Sequence, residues 1–277
     1  MQAPESAFRL FGKVLSRRRS SKLVITALFL GALCSSSSAQ NDGEWISLFN
    51  GENLDNWIPK FTGFELGENY RNTFRVEDGY LTVSYDEWPT FNSEFGHLYY
   101  DQVFSHYLLR VEYRFIGDQV NDGPGWAFRN NGLMLHSQDP RSMTIDQEFP
   151  VSIEAQLLGG NGSTDRQTAN VCTPGTHAVF GGELVTRHCT NSISATYHGD
   201  QWVTAEFEVR GHQSMVFRAN GETVFELEHP QLDPTDPDAQ ALLAEGAPLM
   251  LEAGFITIQA ESHPTQFRKI ELLPLTP

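Results

Sequence analysis

Apolar and polar residues alternate at every second position along much of this chain. Tyr107, Leu109, Val111, Tyr113 and Phe115 interleave with His106, Leu108, Arg110, Glu112 and Arg114, and Val203, Ala205, Phe207 and Val209 with Thr204, Glu206, Glu208 and Arg210. Successive strand side chains point to opposite faces, so each run predicts a half-buried antiparallel strand. Asn220-Gly221 separates two such runs, and both residues accept positive φ, as a two-residue hairpin requires. Glu77-Asp78-Gly79 ahead of Tyr80 predicts a second hairpin. One short helix is predicted over 236–245, with Asp236 as N-cap, Pro237 at N1 and Gly246 past its end. Residues 254–259 and 267–273 predict a closing pair of strands, the last of which pairs centrally. Many strands and a single helix predict an all-β fold, an antiparallel β-sandwich or jelly roll.

Two of the predicted strands carry unusual polar faces. In 151–157 the apolar residues are Val151, Ile153, Ala155 and Leu157, which leaves Ser152, Glu154 and Gln156 together on the other side. In 255–261, Gln259 and Glu261 share a side with Thr257. A solvated outer face has this pattern, and so does a sugar-binding groove, where carboxylates and amides take hydroxyl groups. On 130–136, Asn130, Gly132, Met134 and His136 fall on one face, and His263 follows the last polar strand. Three such strands side by side would gather two carboxylates, two amides and up to two imidazoles. Trp88, Trp126, Phe128 and Tyr99 are the candidate platforms for a sugar ring. The chain has no Gly-x-Ser-x-Gly elbow and no His-Glu-x-x-His helix, and Gly159-Gly160-Asn161-Gly162 lacks the lysine and helix of a phosphate loop.

The N-terminal segment changes the charge and the compartment. Arg17, Arg18, Arg19 and Lys22 precede an apolar run over 23–33, and Ser37-Ser38-Ala39 closes it with small residues. That is the pattern of a signal peptide over 1–39, leaving a domain over 40–277 and no stable membrane insertion after cleavage. Six of the 19 basic residues and one of the 35 acidic residues lie in 1–39, so 13 and 34 remain, a net charge of −21. So acidic a surface repels nucleic acid and anionic membranes but tolerates neutral sugars. The expected location is periplasmic or extracellular. Cys172 and Cys189 remain, and an even count in an exported chain predicts a disulfide. Closing that loop would contribute about 3 kcal/mol. A Cys/His metal site is the alternative, although the spacing fits no zinc pattern.

Several motifs resemble those of one family. Trp45, Leu48, Phe49, Asn50, Gly51, Leu54 and Trp57 resemble the opening W-x-x-L-F-N-G-x-x-L-x-x-W of the 3-keto-disaccharide hydrolase domain family. Asn130-Asn131-Gly132 resembles its N-S-G strand entry, and Glu154-Ala155-Gln156 its E-x-Q strand. Gln259-Ala260-Glu261 followed by Phe267-Arg268 resembles its ending. The resemblance spans roughly 44–273. It implies a concanavalin A-like β-sandwich and exported enzymes acting on 3-keto sugars. His136 stands where many relatives have an arginine, Ser262 replaces a glycine and Lys269 an asparagine. Residues 161–194, with the two cysteines, form an elaborated loop.

On that resemblance the partner is an oxidised (3-keto) sugar or another carbohydrate. A ketone at C3 acidifies the C2 hydrogen, so a base can remove it and the enolate can expel the C1 group, after which water adds back. Glu154 or His136 is the expected base or metal ligand, Glu261 the partner acid, and Arg268 the enolate stabiliser or an orienter of Glu261. Asn130, Gln156, Gln259, His263 and Trp126 would bind substrate. A divalent metal held by His and Glu is the alternative electrophile. A non-catalytic carbohydrate-binding module and a two-carboxylate glycoside hydrolase are the rival readings.

Overall fold

The structure, a computed structural model, describes residues 43–277. The predicted signal segment lies outside the described residues. In chain order the strands are β1 (Ile46–Ser47), β2 (Trp57–Phe61), β3 (Phe74–Glu77), β4 (Tyr80–Val83), β5 (Gly96–Phe104), β6 (His106–Phe115), β7 (Asn130–Ser137), β8 (Ile153–Leu158) and β9 (Asn170–Cys172). They continue with β10 (Thr176–Phe180), β11 (Glu183–Val185), β12 (Cys189–Thr190), β13 (Val203–Arg210), β14 (Ser214–Ala219), β15 (Glu222–Leu232), β16 (Gly254–Ala260) and β17 (Thr265–Pro274), with α1 (Pro237–Ala244) between β15 and β16.

Two antiparallel sheets form a sandwich. One runs β11-β10-β15-β14-β13-β6-β17-β4-β3, with β1 also paired to β17, and the other runs β12-β9-β8-β7-β16-β5-β2. The alternating residues of β6 and β13 behave as their sequence predicts. Tyr107, Leu109, Val111 and Tyr113 meet Val203, Ala205, Phe207 and Val209 in the buried layer, and the interleaved residues stay half-buried. Leu98, Leu133, Leu135, Ile153, Ala155, Ile256 and Ile258 fill that layer from the second sheet. The Asn220-Gly221 and Asp78-Gly79 turns have φ of 48°, 86°, 51° and 81°, the values that two-residue hairpins need. Asp236 caps α1 by accepting from the backbone N–H groups of Asp238 and Ala239, both at 3.0 Å, a contact that contributes about 1 kcal/mol. Among the described residues no helix is long and apolar enough to cross a membrane.

The face of the second sheet turned away from the core is itself covered. Lys60 on β2 donates to the carbonyl oxygens of Phe61, Phe64 and Ile145 at 2.8, 3.1 and 3.0 Å, which ties two loops to the sheet edge. Tyr99, Met143 and Phe255 form a small apolar cluster on this face. Between that cluster and the β9–β12 edge lies the polar floor described next.

Candidate functional site

Strand register arranges the outer face of the second sheet in rows. Tyr99, Thr257, Met134, Glu154, Cys172 and Cys189 are successive cross-strand neighbours on β5, β16, β7, β8, β9 and β12. In the adjoining row Lys60 pairs with His97 and His97 with Gln259, while Gly132 pairs with Gln156 and Gln156 with Asn170. Ile258 pairs with Leu133, which sets Gln259 beside Gly132. Glycine leaves a gap in the row there. A Cβ at that position would lie 2.5 Å from Glu154 Oε1 and 2.9 Å from Gln259 Oε1, so a carboxylate and an amide lean over the same point.

That floor is crowded with polar atoms that no protein group satisfies. Asn130 Oδ1, Glu154 Oε1, Thr257 Oγ1, Glu261 Oε2, His97 Nε2 and both amide atoms of Gln259 are buried without a partner. Each such atom costs about 1–3 kcal/mol relative to a satisfied one. Grouping them on one face is the arrangement of a site built for a polar ligand rather than for stability.

The carboxylates respond to this burial. Glu154 and Glu261 are 5% and 3% exposed, and among the described residues neither forms an ion pair. Burial pushes the Glu154 carboxyl up to about 8. Burial, together with the Glu154 charge, raises Glu261 well above the ordinary carboxylate range. Two carboxyls so placed cannot both ionise cheaply, so one holds its proton while the other is charged.

Above the floor is a cavity of about 360 Å³. Trp126, 54% exposed, forms one wall, stacked on Phe95 at 6.0 Å between centroids, with Phe149 packed on Phe95 at 4.8 Å. Arg166 holds the Trp126 segment through bonds to the carbonyls of Phe128 (2.6 Å) and Gly159 (2.7 Å). Pro174, His188 and the Cys172–Cys189 disulfide form the opposite wall. The disulfide read from the cysteine count is therefore present in the structure, and it faces the cavity. Cys172, His188 and Cys189 are the one trio of His, Cys, Asp or Glu among the described residues whose ligand atoms lie within 4.8 Å of one another. Their sulfurs are committed to each other. Among the described residues no third carboxylate or imidazole joins Glu154 and Glu261 in that way.

Residues 44–273 match the family of 3-keto-alpha-glucoside-1,2-lyase-like domains. The chain belongs to this family. Among solved structures, the chain resembles a "putative glycosyl hydrolase" from Parabacteroides distasonis ATCC 8503, with 15% identity over 84% of this chain and 100% of that one and a TM-score of 0.50. The exoplasmic/lumenal domain of VIP36 in its Ca2+/Man3GlcNAc-bound form aligns at 10% identity, 83% and 89% coverage and a TM-score of 0.46. A protein of unknown function with a galectin-like fold from Bacillus subtilis aligns at 10% identity, 84% and 96% coverage and 0.44. No match was found among curated proteins.

In this lyase-like domain the fold brings together Asn130, Glu154, Gln156, Glu261 and Trp126 around the cavity, with Gln259 in its floor. Six expected residues or platforms lie elsewhere, among them Tyr99, buried in the cluster with Met143 and Phe255, and Phe128, packed on His263. His136 is turned away by a β-bulge. Phe255 pairs with Ser137 but Thr257 with Met134, so Leu135 and His136 both oppose Ile256, and His136 takes a φ of 48°. That extra residue inverts the alternation. His136 Nε2 donates to Gly211 O at 3.1 Å, and the ring lines a separate groove of about 640 Å³. Arg268 is on the other sheet, in a bulge of β17 between Phe267 and Lys269. It pairs with Glu112, neither Glu261 nor Glu271, and lies 4.6 Å from the Trp202 ring centroid. His263 is buried beside Phe115 and Phe128, at 5.7 and 5.1 Å between centroids, and does not line the cavity. Trp88 packs in the core and donates to Thr73 Oγ1 at 2.8 Å.

One residue of the floor was missed. His97 shares a face with Tyr99, and period-two reading of 96–100 could have shown that much. Only register shows that it sits beside Gln259. Burial and the nearby Lys60 ammonium lower its pKa to about 3, so it is a neutral imidazole at the cavity floor, edge-on to Phe149 at 5.8 Å. Placing Arg268 on the far sheet also has a consequence. Arg268→Ala is expected to leave substrate turnover within about twofold of wild type and to change stability by at most about 1 kcal/mol, as half-exposed ion pairs do. Parallel kinetics and thermal melts check this, and a hundredfold loss of turnover would put Arg268 back into the chemistry.

Proposed function

We propose that this chain is an exported enzyme that cleaves 3-keto-glycosides by elimination followed by hydration, with Glu154 as base and Glu261 as acid. The observation that supports it most is the pair of buried carboxyls facing one cavity, both with raised pKa and neither ion-paired. Family membership supports the choice of substrate class. The disulfide suits an oxidising compartment.

In this reading the oxidised ring lies over Gly132 and against Trp126. Glu154 takes the proton from C2, whose acidity comes from the C3 ketone. Electron density moves onto the C3 oxygen, where the unpartnered Gln259 Nε2 is a donor. Glu261, kept protonated by burial and by the Glu154 charge, passes its proton to the C1 oxygen as the C1–O bond breaks and C1=C2 forms. Glu261, now a carboxylate, takes a proton from water as its hydroxyl adds to C1, and Glu154 returns its proton to C2, so both carboxyls regain their starting states and the net change is hydrolysis.

The test is incubation with 3-keto-glucosides beside their unoxidised parents, with and without EDTA. Cleavage confined to the keto forms supports the proposal. Cleavage of the parents would indicate a conventional glycosidase, and binding without product a carbohydrate-binding module. The pH profile is a second check. A base must be ionised, so kcat/KM is expected to climb about tenfold per pH unit below about 8 and to level off above it. It falls again at higher pH, when Glu261 loses its proton. A profile flat between pH 5 and 9 would remove Glu154 as base.

A further inference from the structure

We infer that the Cys172–Cys189 disulfide and the His188 imidazole packed on it form the leaving-group end of the cavity, the subsite for the second sugar of a disaccharide. This rests on the proposed elimination chemistry for its direction, because the oxidised ring must lie over the carboxyls. Three observations carry it.

The first is position. Cys172 is the direct cross-strand neighbour of Glu154, and Cys189 of Cys172. Neighbouring strands lie about 4.8 Å apart, so the sulfurs stand one and two strand spacings beyond the base, on the same face. The edge is therefore within reach of a second ring bonded to one held over Gly132.

The second is chemistry. The disulfide and Pro174 offer apolar surface to the C–H face of a sugar. His188 has a ring nitrogen within 4.8 Å of both sulfurs, and burial lowers its pKa, so it is a neutral imidazole with one donor and one acceptor for hydroxyl groups. No charged group is needed to take a neutral sugar there. His188, Pro174 and Phe149 also line a second groove of about 490 Å³, so the two share this wall.

The third is construction. β12 is a two-residue edge strand, and its link to β9 consists of the disulfide and a few bonds, among them Thr173 N–H to His188 O at 2.8 Å. Thr173 Oγ1 also donates to the His188 carbonyl at 3.2 Å and Ser192 N–H to Asn170 Oδ1 at 2.9 Å, and the disulfide, adjacent to His188 in the chain, helps to position it as well as forming surface.

The experiment compares wild type with Cys172→Ser/Cys189→Ser and with His188→Ala, which keeps the disulfide and guards against misfolding of the double variant. Substrates are 3-keto-maltose and methyl 3-keto-α-glucoside, which share the reacting ring and differ in the leaving group. The ratio of kcat/KM values, disaccharide over methyl glycoside, is expected to fall about tenfold in both variants, mainly through KM. An unchanged ratio overturns the inference, whether both substrates lose activity in parallel or neither does. If wild type cleaves neither substrate, the elimination reading fails by itself. Calorimetric titration of the same variants with maltose and methyl α-glucoside then reads the wall separately, and equal affinity losses for the two sugars overturn it.

Discussion

Glu154→Gln is expected to lower kcat by about a thousandfold or more and, in the same protein, to raise the melting temperature at pH 8. The first effect follows from removing the base, a contribution of roughly 10²–10⁴ in rate. The second follows from the raised pKa. Below about pH 4.5 the carboxyl is protonated in both folded and unfolded chains. As pH rises from there, the unfolded chain releases the proton while the folded chain holds it until about 8, so stability is lost across that interval. The shift corresponds to a loss on the order of 5 kcal/mol. Glutamine does not titrate, so the variant escapes that loss. Its melting temperature should exceed that of wild type by several degrees at pH 8, and the gap should narrow towards pH 4.5. Melting curves across pH together with single-substrate kinetics read both effects. Retained turnover excludes Glu154 as base, and parallel pH–stability curves exclude the raised pKa.

Gly132→Ala should lower kcat/KM by about a hundredfold while the protein stays folded. The added Cβ would lie 2.5 Å from Glu154 Oε1, 2.8 Å from Glu154 Cγ and 2.9 Å from Gln259 Oε1. Both side chains are buried, so neither can swing into solvent, and each must shift along the floor. A displacement of an ångström at a reacting group costs on the order of 10²-fold in rate, whereas overpacking by one methyl group costs about 1–3 kcal/mol in stability. The result is an enzyme impaired much more in rate than in folding. Kinetics and thermal unfolding of the variant separate the two, and wild-type kinetics would mean that Glu154 and Gln259 do not converge over Gly132.

Legibility in the sequence followed the range of each signal. Period-two alternation is local, and it placed Glu154 with Gln156 and Gln259 with Glu261 on exposed-side faces that the structure brings to one floor. Capping at Asp236 and the positive φ of Asn220-Gly221 are local too, and both are present as read. Bulges are where that reasoning failed. One extra residue at His136 and another at Arg268 reversed or suspended the alternation, and neither bulge has a Gly or Pro at the extra residue as a warning. Sheet membership is also not local. Arg268 follows Glu261 closely in sequence, but β16 and β17 belong to different sheets, so the two side chains are on different layers. The parts assigned to Gly132 and His97 depend on cross-strand register, which one sequence does not contain.

The placement of β17 ties the two ends of the domain together. It lies between β6 and β4 and also receives β1, so the strand that comes last in the fold is an interior strand of its sheet. Without Thr265–Pro274, β6 and β4 would each carry a bare edge and β1 would have no partner. Closure of the sandwich over its core is therefore a long-range event that joins β1 and β17, rather than a sum of local hairpins.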